Sequence, residues 1–157
     1  MTKHPMRYVA GGWSVGAVAT LQSAAPFTVG TQTNTTNAFS AGSLRADIMR
    51  NPNLPSGDRT LGRWFDTAAF AQPANYRFGN QGINVLRGDG KTNFDFSILR
   101  NFSIREDSKV QFRAEIFNAF NHPNFGLPAH TFGGPGFGIV SASDPGRRIQ
   151  LGLRFVW

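Results

Sequence analysis

The sequence predicts an all-β fold of antiparallel, up-and-down strands, of the kind that closes into a transmembrane β-barrel. Three observations lead there. From Arg148 to Trp157 the residues alternate without a break: Ile149, Leu151, Leu153, Phe155 and Trp157 share one face of a strand, and Arg148, Gln150, Gly152 and Arg154 share the other. The segment ends on the aromatic itself. Barrel strands in lipid run to about ten residues of apolar-out, polar-in alternation with aromatics at the interfaces, and this segment has that order. Composition agrees: 18 Gly and 15 Phe with only 16% charged residues make a chain rich in turn formers and aromatics and poor in helix-forming charge pairs.

Taken in order, Arg7-Tyr8-Val9 reads as the end of a preceding strand or its turn, punctuated by Gly11-Gly12. A first full strand is expected near 12–22. There Trp13, Val15, Ala17, Ala19 and Leu21 alternate with small or polar residues, and Trp13 is placed in an interfacial aromatic girdle. Residues 23–91 are rich in Thr, Asn, Gly and Pro with little sustained period, so they read as a long loop. Such a loop counts against a soluble domain, but barrels carry long extracellular loops and short periplasmic turns. Within it Thr31 to Asn37 is expected to form a β-extension above the membrane. Asn34-Thr35-Thr36 spells a glycosylation sequon, which a Thr-rich loop produces by chance.

A second strand is expected near 93–104, where Phe94, Phe96, Ile98, Arg100, Phe102 and Ile104 share one parity and Asn93, Asp95, Ser97, Asn101 and Ser103 the other. Arg105-Glu106-Asp107-Ser108 is a polar turn. A third strand follows near 109–118, with Val110, Phe112, Ala114 and Ile116 alternating with Lys109, Gln111, Arg113 and Glu115. Both apolar sets are even-numbered. Positions paired across the turn must then sum to an even number, which calls for a loop of about three or five residues. Arg100 interrupts the apolar face. An outward Arg costs ~2–4 kcal/mol at the bilayer midplane and ~0–1 near the interface, so Arg100 is expected near the periplasmic rim, its stem on lipid and its head in water.

Residues 119–147 form a second long loop with Pro123, Pro128, Pro135 and Pro145. Gly134-Pro135-Gly136-Phe137-Gly138 resembles a phosphate-cradling loop only superficially: it lacks the Gly-Lys-Ser/Thr ending and a following helix pattern, and it reads as a flexible loop. Asp144-Pro145-Gly146 signals a turn before the last strand at 148–157. With the C-terminus periplasmic, the turn at 105–108 is periplasmic and both long loops are extracellular.

The residues that could carry function are few. Asp95, Arg113, Glu115 and Arg154 lie on the polar parity and are expected to face the lumen, where hydrogen bonds and ion pairs stiffen the wall. The loop aromatics Trp64, Phe65, Phe70, Phe78, Phe125, Phe132 and Phe137 either pack the loops together or meet a ligand. His4, His122 and His130 have no metal-ligand spacing, and no Gly-x-Ser-x-Gly elbow occurs. No catalytic residue, metal site or cofactor is therefore expected, and the chain is not read as an enzyme. With 16 Lys+Arg against 9 Asp+Glu the chain is basic at +7, but the cations are spread singly apart from Arg147-Arg148, a poor phosphate track. A soluble basic β-domain binding nucleic acid or carbohydrate would interleave aromatics with Lys and Arg on one face; here they segregate, so no nucleic-acid partner is expected. The absence of Cys excludes disulfides and thiolate ligands. No apolar run reaches about 18 residues, and Met1-Thr2-Lys3-His4-Pro5 carries no export signal.

Several blocks occur in a telling order: Gly11-Gly12-Trp13, Leu21-Gln22-Ser23 with Pro26-Phe27, Trp64-Phe65-Asp66, Leu86-Arg87-Gly88, and the run from Phe112 to Gly126 that contains Phe117-Asn118-Ala119-Phe120-Asn121-His122-Pro123. Together they resemble the C-terminal end of TonB-dependent receptors of the outer membrane, most closely the Oar-like subgroup with a carboxypeptidase-regulatory-like front domain. The resemblance covers most of the chain, and the 112–126 block is its most specific part. It implies an outer-membrane location in a Gram-negative-type bacterium and energised uptake of a large or scarce solute, driven by TonB acting on a plug. It also implies that Ile149, Leu151, Leu153, Phe155 and Trp157 form the signature recognised by the barrel insertion machinery. Such receptors are several times longer, and the plug, the TonB box and most of the barrel are missing here. The expectation is a C-terminal fragment over 1–157 that depends on the remainder of the barrel, because four strands cannot close and unpaired edges in lipid cost several kcal/mol per group.

Overall fold

A computed structural model describes residues 11–37, 44–105 and 108–157. Ten strands occur in chain order: β1 (Trp13–Gln22), β2 (Pro26–Phe27), β3 (Gly30–Thr31), β4 (Asp47–Ile48), β5 (Phe70–Ala71), β6 (Leu86–Arg87), β7 (Lys91–Arg105), β8 (Ser108–Phe117), β9 (Thr131–Phe132) and β10 (Arg148–Val156). The four long ones form a single open sheet in the order β1-β7-β8-β10, so each pairs with the next long strand along the chain. The fold is all-β, antiparallel and up-and-down, and the sheet is not closed. Met1 to Ala10, with Arg7-Tyr8-Val9 and His4, lies outside the described residues, as do Glu106 and Asp107 of the polar turn.

The register follows the alternation. β7 and β8 pair from Phe96↔Ile116 to Ser103↔Lys109, and β8 and β10 from Ile116↔Ile149 to Lys109↔Val156. The β7–β8 sums are even, as the parity argument requires, and one apolar row after another runs across three strands. The odd residue is not in the connection, however. Arg105 pairs with Ser108, and the register shifts between Ser103 and Arg105. A bulge at Ile104 absorbs the extra residue within the strand, which lets the hairpin close on a shorter connection than the expected three or five residues.

The two long connections are not irregular. Gln22–Lys91 and Asn124–Asp144 form a second compact unit, separate from the unit that holds the long strands. Its core is aromatic. Phe27, Val29, Ala46, Phe65, Ala69, Phe70 and Leu86 are buried, and Trp64, Phe132 and Phe137 pack against them. Phe65 sits at the centre, its ring 5.9 Å from Phe27, 5.7 Å from Phe70 and 5.2 Å from Phe137. Two-residue strand pairs frame this core: β2 with β6, β4 with β5, and β3 with β9, the last in parallel.

Three local expectations fail here. The β-extension from Thr31 to Asn37 is strand only at Thr31; beyond it the Asn34 carboxamide accepts from the Thr36 N–H at 2.9 Å and hydroxyl at 2.7 Å, a side-chain turn that competes with strand pairing. The Gly134–Gly138 run is a packed turn, not a flexible loop. Gly136 and Gly138 have φ of +68° and +86°, and Gly138 accepts from the Trp64 N–H at 2.9 Å and donates to the Ala129 carbonyl at 2.8 Å, which delivers Phe137 into the core. Asp144-Pro145-Gly146 makes no turn of its own; the chain is steered into β10 by Asn121, whose Oδ1 accepts from the Arg147 N–H at 2.9 Å.

Candidate functional site

The sheet has two chemically distinct faces, and they are the functional surface of the strand unit. On one, the rows Phe96–Ile116–Ile149, Ile98–Ala114–Leu151, Arg100–Phe112–Leu153 and Phe102–Val110–Phe155 run across β7, β8 and β10. The residues of β10 expected as an insertion signature are on this face and uncovered: Ile149, Leu151, Leu153, Phe155 and Trp157 are 50% to 86% exposed. An apolar face this wide suits hydrocarbon, not water.

Aromatics gather at both ends of that face. Phe120 packs edge-on against Phe94 at 5.1 Å and Phe96 at 6.3 Å. At the other end Trp13 meets Phe112 at 6.2 Å, and Phe155 stacks on Trp157 at 5.7 Å. From Phe94 to Phe102 the strand rises about 26 Å, or roughly 20 Å along a membrane normal at a tilt of about 40°. That matches the height of a barrel's apolar band between its aromatic girdles. Arg100 belongs to the lower cluster, but its head is not in water: the guanidinium lies 5.0 Å from the Trp13 ring centroid and 4.4 Å from that of Phe102, and the residue is buried. Two aromatic faces take the place expected for solvent.

The opposite face carries the polar set. Arg113 and Glu115 form an ion pair, and Gln111 donates to Asn101 at 3.0 Å in the row that Arg154 shares. Asp95 stands apart from this pair, accepting from the Asn93 amide and the Asn118 backbone N–H, both at 2.9 Å. Arg154 meets none of the other three; it lies opposite Gln111. A hollow of about 340 Å³ opens on this face between Gly16, Asp95, Ser97 and Glu115. Gly16 keeps it open, since a Cβ there would approach Ser97 Oγ to 2.7 Å.

Sequence reasoning missed Asn118, which organises the end of the sheet. It is buried with φ of +49°, and its carboxamide accepts from the His122 N–H at 3.0 Å while donating to the carbonyls of His122 at 2.9 Å and Pro145 at 3.3 Å. The Phe-Asn-Ala-Phe-Asn spelling was visible; what it does required coordinates. In the second unit Asp47 is the buried counterpart, accepting from Arg77 and from the Asn80 N–H at 2.9 Å. The loop aromatics divide. Phe65, Phe70, Phe132 and Phe137 pack the unit, Trp64 donates its indole N–H to the Arg87 carbonyl at 2.9 Å, Phe125 is half-buried and Phe78 is exposed. His130 faces the Pro128 carbonyl at 3.0 Å, and no group of three or more metal-ligating side chains occurs among the described residues.

Comparison with known proteins fits these two faces. A family model described as outer membrane beta barrel domain matches residues 1–150. No match was found among curated proteins or among solved structures. The chain belongs to the outer membrane beta barrel domain family, and its place is the outer membrane of a Gram-negative-type bacterium.

Proposed function

We propose that the chain supplies four wall strands and a folded extracellular lobe to a TonB-dependent transporter that takes up a large or scarce solute. The observation that carries this reading is the pairing of a two-faced sheet with long connections that fold around a core of their own. In this reading the apolar rows face lipid, and the outward side chains of β10 are what the insertion machinery meets. Asp95, Arg113, Glu115 and Arg154 face the lumen, against the plug of the complete receptor. The Gln22–Lys91 and Asn124–Asp144 unit stands outside the cell. A lobe with a packed aromatic core presents a fixed surface to solute, which lowers the ordering entropy that a floppy loop would lose on binding. The chain performs no chemistry and holds no cofactor; energy comes from TonB acting on a plug supplied by the remainder of the receptor.

The absence of cysteine makes the test direct. In the complete protein, Ile83→Cys in the lobe and Leu151→Cys on the apolar face are treated with a membrane-impermeant maleimide on intact cells. Ile83→Cys labels at once; Leu151→Cys labels only after the protein is unfolded in detergent. Equal labelling of both in intact cells would overturn the lipid-facing assignment. The energised part is tested by passing the complete protein over the immobilised periplasmic domain of TonB: retention is expected, and a product without a plug that is not retained removes that part of the reading.

A further inference from the structure

The apolar face carries an arginine near each aromatic cluster, and the two are held differently. Arg100 is buried between rings, whereas Arg147 is exposed. Arg147 immediately precedes β10 and has the parity of Ile149 and Leu151. Its backbone N–H is fixed by Asn121 at 2.9 Å, and Nη1 reaches the Ala119 carbonyl at 3.4 Å. The next residue, Phe120, is 68% exposed and lies on Phe94 and Phe96. The guanidinium is thus anchored by one long contact beside the ring cluster where the apolar face ends. Aromatic girdles mark the headgroup level of a bilayer. A guanidinium has five N–H donors in a planar fork that matches phosphate, and most remain available here.

We propose that Arg147, with Phe120 beside it, docks the phosphate of an anionic lipid in the outer leaflet, the acyl chains lying along the Ile116 and Ile149 row. Charge complementarity supports this occupant: the chain is +7, and the rim cation sits where lipid phosphates lie. The leaflet rests on the reading that the 119–147 connection is extracellular. Arg148 provides an internal control. It has the opposite parity, and its guanidinium lies over the Phe117 ring at 5.8 Å on the polar face.

The test measures binding of lipid A to the complete detergent-purified protein, using lipid A with its phosphates and lipid A stripped of them. Arg147→Gln is expected to weaken binding of the phosphorylated form about fivefold, the share of one basic residue at an anionic surface, and to leave the weaker binding of the stripped form unchanged. Arg147→Lys retains most of the binding, and Arg148→Gln all of it. The proposal is overturned if Arg147→Gln binds phosphorylated lipid A like the parent protein, or if both forms are lost equally. Sidedness is read separately by the Ile83→Cys labelling, so failure of the extracellular placement is told apart from failure of the site.

Discussion

The backbone N–H of Asn118 donates to Asp95 Oδ1 at 2.9 Å, tying the residue that leaves β8 to the neighbouring strand β7. The Asn118 side chain then reaches His122 and Pro145, so one residue joins the exit of β8, the corner after it and the return toward β10. Asn suits the position because its short carboxamide tolerates a left-handed backbone and supplies donor and acceptor together.

Replacing Asn118 separates these two properties. Asn118→Ala removes the carboxamide and forces a Cβ-bearing residue without local hydrogen bonding to φ of +49°. The expected loss is about 3 kcal/mol, from unsatisfied buried groups and left-handed strain. Asn118→Gly relieves the strain but not the lost bonds, and should fall between parent and Ala. Urea midpoints of the complete barrel in bilayers check the order; Ala at or above Gly would remove the strain argument.

Phe65→Ala empties the centre of the aromatic core, where the side chain is 1% exposed. A loss of about 3–5 kcal/mol is expected, enough to open the second unit locally. Hydrogen exchange should rise in Gln22–Lys91 and Asn124–Asp144 while β8 and β10 stay protected, because their ladder lies in the other unit. Equal loss of protection in both would show that the two units unfold as one.

Much of the strand unit was legible because alternation with period two is a local signal. The parity of Phe96, Ile116 and Ile149 fixes their common row before any coordinate is known. The bulge at Ile104 was not legible, since it changes the length of one strand without breaking the pattern on either side. The second unit was hidden for a deeper reason. Phe27, Phe65, Phe70 and Phe137 come from four segments with no shared period, joined by two-residue strands and positive-φ turns. The polar set on the sheet was legible as a face but not as contacts: Arg113 and Glu115 meet, whereas Asp95 turns to Asn118.

The glycines offer a graded series. At Gly138 a Cβ would come within 2.5 Å of Thr67 Cγ2, and φ is +86°, so Gly138→Ala combines clash with strain and should destabilise the second unit by about 2–4 kcal/mol. At Gly133 φ is +82° but the nearest atom, Gln32 Oε1, is 3.7 Å away, leaving strain alone at about 1–2 kcal/mol. At Gly152 nothing lies within 4 Å and φ is not positive, so Gly152→Ala should be neutral or slightly stabilising. Limited proteolysis of the three variants should rank them in that order.

The depth of each outward residue sets what a charge there does. Leu151 shares a row with Ala114 and Ile98, between the Phe120 cluster above and the Phe102–Phe155 row below. Leu151→Arg therefore places a guanidinium close to mid-bilayer, where ~2–4 kcal/mol of barrel stability should be lost, whereas Phe155→Arg at the lower girdle should lose ~0–1 beyond the packing of the ring. Gly152→Arg turns its charge to the opposite face and lies between the two in sequence, so it separates depth from position along the chain. Folding of the complete protein into lipid vesicles, followed by urea titration, gives all three values. A Leu151→Arg loss no larger than that of Gly152→Arg would mean that the face carrying Ile149, Leu151 and Leu153 does not meet hydrocarbon.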